Sequence, residues 1–107
     1  AIGAYTKSLE LHSGDANLLT DLGVMYRRAE QPDKAIESFD KAIQTDPGHQ
    51  QSRFNKGIVL FYDKNDKNGA IAVWEELLRL NPQAKTGSGE SISDIVNKIK
   101  SEAETGN

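Results

Sequence analysis

Along this chain, apolar residues recur at offsets of four and eight, the spacing of one face of an α-helix, and they do so three times. The segments are Ala1-Ile2-Gly3-Ala4-Tyr5-Thr6-Lys7-Ser8-Leu9, Ala35-Ile36-Glu37-Ser38-Phe39-Asp40-Lys41-Ala42-Ile43 and Ala70-Ile71-Ala72-Val73-Trp74-Glu75-Glu76-Leu77-Leu78. Each opens with Ala-Ile, places an aromatic four residues later and an aliphatic eight residues later. The steps between copies are 34 and 35 residues, a period that marks arrays of helix pairs. A second kind of helix is predicted between the copies, over residues 17–29 and 51–62, with Gly23 and Gly57 34 positions apart. Asp46-Pro47-Gly48 and Asn81-Pro82 predict helix stops, because proline cannot continue the hydrogen-bond ladder.

Residues Leu19, Leu22, Gly23, Tyr26, Ala35, Phe39, Ala42 and Pro47 together resemble the tetratricopeptide signature over one whole unit. The next unit keeps Gly57, Ala70, Trp74 and Pro82 but departs in three ways. Arg53 and Lys56 replace large apolar residues, one extra residue is expected in the loop 63–69, and Leu77 replaces a small residue. The resemblance covers residues 1–82. It implies an all-α fold, a right-handed superhelical array of antiparallel helix pairs with about six helices. The single domain 1–107 then divides into the second helix of a truncated repeat (1–12), a full repeat (16–49), a diverged repeat (50–82), a loop (83–91) and a C-terminal helix (92–104).

The spacing has a physical basis. Gly23 and Ala35 are small residues placed where the two helices of a unit cross, and Tyr26, Phe39 and Ala42 are placed to fill the layer to the next unit. Each unit leaves a face that must stack on a neighbour. Residues 83–91, rich in Gly, Ser and Thr, read as a loop. Ile92, Ile95, Val96, Ile99 and Ala103 then return at helical spacing, with Ser91 and Asp94 as a capping box and Thr105-Gly106 as a stop. Two roles fit this helix: a cap covering the last repeat, or a segment that swings on its loop into the concave groove.

Composition narrows the function. With 36% hydrophobic and 27% charged residues the chain is an ordinary globular domain. A net charge of −3 argues against non-specific nucleic-acid binding, which needs an excess of Lys and Arg. The absence of cysteine excludes disulfides, thiolate metal sites and cysteine nucleophiles, and leaves cytoplasm and periplasm equally open. The longest apolar run, 58–62, is far short of the roughly 20 residues that cross a bilayer.

Candidate chemistry is sparse. His12 and His49 fall in turns after the first and second Ala-Ile helices and read as exposed loop residues. The stretch 63–69 looks superficially like a calcium loop. With Asp63 first, however, Lys67, Asn68 and Trp74 occupy positions that need a ligand, a glycine and a glutamate. Glu75 and Glu76 are adjacent and do not face each other on a helix. The Gly-rich stretch 85–90 has no preceding strand and lacks phosphate-loop spacing. No catalytic residues, metal or cofactor are expected, and Trp74 and Met25 are assigned to packing.

The tetratricopeptide resemblance implies that the first helices of successive units line a concave groove where protein partners lie. Its offsets assign Asn17, Thr20, Val24, Arg27 and Arg28 from one unit and Gln51, Phe54, Ile58, Phe61 and Tyr62 from the next. The arginines suit carboxylates and the aromatics suit an apolar side chain or helix face. Arginines solvated at a helix end, and Phe54 and Phe61 packed against a neighbouring unit, are the competing readings. Thr20 and Val24 stand where the chaperone-tail clamp of this family has Lys and Asn, so that clamp is not expected.

The leading functional expectation is a protein–protein interaction module within a longer protein. Two alternatives accompany it. The run from Ala70 to Pro82 with its following amphipathic helix resembles bacterial repeat proteins of cytochrome c maturation, which implies apocytochrome binding. A structural spacer or self-association segment is the other, since a chain that opens mid-repeat at Ala1 would expose a face suited to a homodimer.

Overall fold

The computed structural model describes residues 15–105, with side chains to Glu102. Five α-helices follow one another: α1 (Ala16–Arg28), α2 (Pro32–Thr45), α3 (Gln50–Ile58), α4 (Lys67–Leu80) and α5 (Ile92–Thr105). A π-helical turn, Val59–Asp63, continues α3. The first expected helix, 1–12, and with it His12, lies outside the described residues. Among the described residues the architecture is all-α, an elongated array of helical hairpins measuring 48 × 27 × 23 Å.

Local chemistry sets the helix ends. Asp15 caps α1, its carboxylate accepting from the amides of Asn17 (2.9 Å) and Leu18 (3.2 Å). Pro32 occupies the first turn of α2, where its missing N–H costs nothing. Asp66 caps α4 by accepting from the amide of Gly69 at 2.9 Å. Helices α2 and α4 stop at Thr45 and Leu80, two residues ahead of Pro47 and Pro82.

The two hairpins share one device. A β-carbon on Gly23 would fall inside the ring of Phe39, and one on Gly57 inside the indole of Trp74. Each glycine lets the aromatic four residues after the conserved alanine lie directly on the helix backbone. Phe39 is what a β-carbon on Gly23 would meet first, and Ala35 is fully buried beside Phe39 and Val59. Trp74 adds a hydrogen bond from its Nε1 to the Phe54 carbonyl at 3.2 Å.

The extra residue of the second unit is not in the loop. Left-handed residues precede both caps, Glu30 (φ 62) before Gln31 and Asn65 (φ 54) before Asp66, and each lies five residues ahead of the conserved alanine. The loops are therefore equal in length. The insertion falls between Gly57 and Asn65, where Lys64 N–H bonds back to the Val59 carbonyl at 3.0 Å across the wider ring of a π-turn. A π-turn absorbs one residue without breaking the helix, whereas a longer loop would have displaced the cap on α4.

The largest apolar cluster lies toward the C-terminus. Ala70, Trp74, Leu77, Ala84, Ile92, Val96 and Ile99 are buried together, with Phe54, Ile58, Leu60 and Phe61 packed against them. Leu77, where the first unit has Ala42, fills this larger space. Helix α5 covers the cluster with Ile92, Val96 and Ile99, the face expected from its spacing; the side chain of Ala103 lies outside the described residues. Its position is fixed from the loop side. Lys85 and Ser91 form an antiparallel bridge, and Ile92 N–H bonds to the Ala84 carbonyl at 3.1 Å. Ser91 Oγ accepts from the Asp94 amide at 3.4 Å, which is one half of the expected capping box. The stretch 83–91 is a braced turn, and α5 sits on α4 as a cover.

Candidate partner-binding groove

The first helices of the two described units, α1 and α3, carry the predicted site, and the structure sorts its residues into distinct fates. Val24, Arg27, Arg28 and Ile58 come together with Phe39 and Asn55 around a cavity of about 140 Å³. Val24, Phe39 and Ile58 are apolar, and two guanidiniums and a carboxamide stand beside them. Gln51, Phe54 and Asn55 line a second, larger cavity of about 470 Å³ with Gln50, Leu77, Asn81, Ala84, Lys85, Gly87 and Ile92. Asn55 borders both cavities.

Thr20 does not belong to this surface. It is 1% exposed, and its hydroxyl donates to the Ala16 carbonyl at 2.8 Å, one turn back. Its offset is that of the groove face, but the helix and its neighbours close over it. Asn17 is exposed, and its carboxamide oxygen is already engaged within the molecule, 2.8 Å from His49 Nε2. His49 is correspondingly not a plain loop residue. It is the N-cap of α3, half-buried, with Nδ1 accepting from the Ser52 amide at 3.2 Å. Nδ1 also lies 2.9 Å from Ser52 Oγ, and in the tautomer whose Nδ1 accepts, Nε2 carries the hydrogen donated to Asn17.

The arginines divide. Arg27 is committed to Asp63 of the π-turn, Nε to Oδ2 at 2.7 Å and Nη2 to Oδ1 at 3.4 Å. Its carboxylate partner is therefore internal. Arg28 is exposed and forms no ion pair among the described residues. The aromatics divide as well. Phe54 stacks on Trp74 with centroids 6.4 Å apart, and Phe61 lies tilted against the same indole at 6.0 Å. Phe61 thus serves the packing of the second unit, as does one face of Phe54. Tyr62 packs edge-on to Phe61 at 4.8 Å and remains 65% exposed.

Arg53 and Lys56, the polar substitutions in α3, are absorbed by neighbours. Lys56 pairs with Asp40 at 2.6 Å. Arg53 is buried, with Nη1 donating to the carbonyls of Pro47 and His49 at the end of the α2–α3 turn. Its Nε has no hydrogen-bond partner and lies 3.8 Å from Glu76. Besides Gln50 and Asn81, sequence reasoning missed the groove residue Asn55. It stands one position after Phe54, off the transferred offsets, and no pattern in a single copy singles it out. Among the described residues no group of three or more His, Asp or Glu is placed to hold a metal ion, and no helix is long and apolar enough to cross a membrane.

Comparison with known proteins gives consistent results. Residues 16–49 match the family model described as Tetratricopeptide repeat. The human Protein O-mannosyl-transferase TMTC3 is 33% identical over 58 residues, which is 53% of this chain and 6% of that protein. Among solved structures, MamA superposes with a TM-score of 0.71 at 25% identity, over 78% of this chain and 45% of MamA. The Sgt2 TPR domain from Aspergillus fumigatus superposes with a TM-score of 0.77 at 24% identity, over 99% of this chain and 68% of that domain. The matched stretch is thus a small fraction of the human relative and under half of MamA.

Proposed function

Because this chain carries a tetratricopeptide-repeat domain, a fold that serves generally as a protein-interaction scaffold, we propose that it holds a peptide or helix of a partner protein in the groove between α1 and α3. The observation that carries the reading is the cavity that α1 and α3 line together, with a second cavity against α3, α4 and the braced turn bordering it at Asn55. The smaller has the size for one aliphatic side chain, with Val24, Phe39 and Ile58 to surround it. Arg28 stands beside that cavity with its guanidinium uncommitted, so an acidic residue next to the buried side chain completes the match. The larger cavity is bordered by Gln50 and Asn81, bonded to each other at 3.0 Å, and by Gln51 and Asn55, whose carboxamides are suited to the backbone of an extended segment. Tyr62 offers an exposed aromatic anchor at the π-turn.

No set of nucleophile, base and orienting group is brought together among the described residues, and the reading assigns the domain no catalysis. The test is capture of partners from an extract of the source organism with the domain as bait, beside an Arg28→Ala, Tyr62→Ala double variant that melts normally. A partner held by the native domain and lost by the variant supports the groove. Capture unchanged by the variant moves binding to the convex face or to α5.

A further inference from the structure

The sequence contains a single Asn–Gly pair, Asn68-Gly69, in the first turn of α4. Asparagine followed by glycine is chemically labile. The backbone nitrogen of the glycine, having lost its proton to solvent base, attacks the asparagine Cγ and forms a new C–N bond. The side-chain nitrogen leaves as ammonia, and a five-membered succinimide remains. Water then opens the ring at either carbonyl, giving aspartate or, with the backbone rerouted through the side chain, isoaspartate. Glycine favours the reaction because it puts no β-carbon in the path of the attacking nitrogen.

Here the attacking nitrogen is occupied. Gly69 N–H donates to Asp66 Oδ1 at 2.9 Å, and the residue is held in helical backbone that keeps its nitrogen away from the Asn68 side chain. Glycine also gives the Asp66 carboxylate room to fold back over the helix start as it does here. A β-carbon at position 69 would collide with the Asp66 carboxylate folded over it. The first unit needs no such glycine, since Lys34 stands at the matching place and Gln31 makes no side-chain cap. The second unit's cap thus sits on the residue that makes Asn68 labile, and the same cap restrains the reaction. Asn68 itself is exposed, so water and base reach it freely.

We infer that Asn68 is a latent site of spontaneous deamidation and backbone isomerisation, gated by the Asp66 cap on the Gly69 amide. Isoaspartate at 68 would add a backbone atom in the first turn of α4, directly after the loop in which Asp66 N–H is tied to the Leu60 carbonyl at 2.7 Å. The π-turn and its contacts with the first unit would loosen with it.

The test is incubation of the protein at mildly alkaline pH, with peptide mapping by mass and isoaspartate detection at position 68. Folded wild type and Asp66→Asn, which keeps an N-cap, are expected to react slowly, and urea-unfolded wild type fastest. Loss of an N-cap side chain raises the frayed population of a helix start about fivefold, so folded Asp66→Ala should react about fivefold faster than wild type. Asn68→Ser should give no product. Equal rates for folded wild type and Asp66→Ala, or for folded and unfolded wild type, overturn the inference. Hydrogen exchange in the wild-type protein reads the gate without any variant. The Gly69 amide should exchange more slowly than those of Lys67 and Asn68, to which the cap gives no bond, and equal exchange at all three overturns the gate.

Discussion

In the first unit Phe39 lies over Gly23; in the second Trp74 lies over Gly57. The first unit closes around small clusters, Ala16 with Leu19 and Ala42, and Ala35 with Phe39 and Val59. The second joins its aromatic to α5 and the braced turn in one cluster. Where the first unit has Leu19, the second has Arg53, which ties itself to the carbonyls of the preceding turn. Where the first runs as one helix from Ala16 to Arg28, the second takes in one more residue as a π-turn. The glycine–aromatic contact survives all of these changes. That contact fixes how the two helices of a unit approach, and the remaining positions adjust to it.

Three substitutions sharpen this comparison. Trp74→Ala removes an indole that serves both its own hairpin and α5, and should cost about 3–5 kcal/mol in a denaturant melt. It should also release α5, seen as faster amide exchange through 92–105. A loss confined to α3 and α4 would mean that α5 is held by the brace alone. Next in size is Ala35→Leu, which places three more carbons at a fully buried position beside Phe39 and should cost about 1–3 kcal/mol. An unchanged melt would show that the first hairpin is looser than its contacts imply. The smallest effect concerns the loops. Glu30 adopts the left-handed conformation that Asn65 adopts in the second unit, and asparagine tolerates it better. Glu30→Asn should stabilise by about 0.5–1 kcal/mol, on the order of the left-handed penalty it relieves. No gain would mean that the Glu30 side chain compensates in the folded state.

Much of this architecture was legible because it depends on spacing. The offsets of four and eight placed Phe39 and Trp74 in the core, and the spacing i, i+4, i+7 placed Ile92, Val96 and Ile99 on the buried face of α5, without any knowledge of partners. The insertion was legible as a count but not as a place, since a 35-residue step does not say which element takes the extra residue. The polar details were not legible. His49 depends on Asn17, 32 residues away, and on Ser52 beside it. Thr20 has the offset of a groove residue but turns its hydroxyl onto its own helix. Arg27 has the chemistry to receive a foreign carboxylate, but the π-turn brings Asp63 to it first. His49 and Arg27 turn on meetings between distant residues, and Thr20 on the burial of its side of the helix, none of which one helical face can report.

The ion pairs between the units carry a further consequence. The first unit contributes a cation, Arg27, and an anion, Asp33; the second contributes an anion, Asp63, and a cation, Lys64, in the complementary order. Asp40 and Lys56 add a third pair in the same sense as Asp33 and Lys64. Solvent-exposed pairs add little to stability. Their order nonetheless makes the seam polar, so that it distinguishes one mating from its reverse. If Asp63 and Lys64 were exchanged, Arg27 would meet a cation and Asp33 an anion, and like charges across a contact discriminate against the wrong partner. The seam behaves as a keyed joint, in which apolar packing supplies the adhesion and the sequence of charges supplies the reading direction.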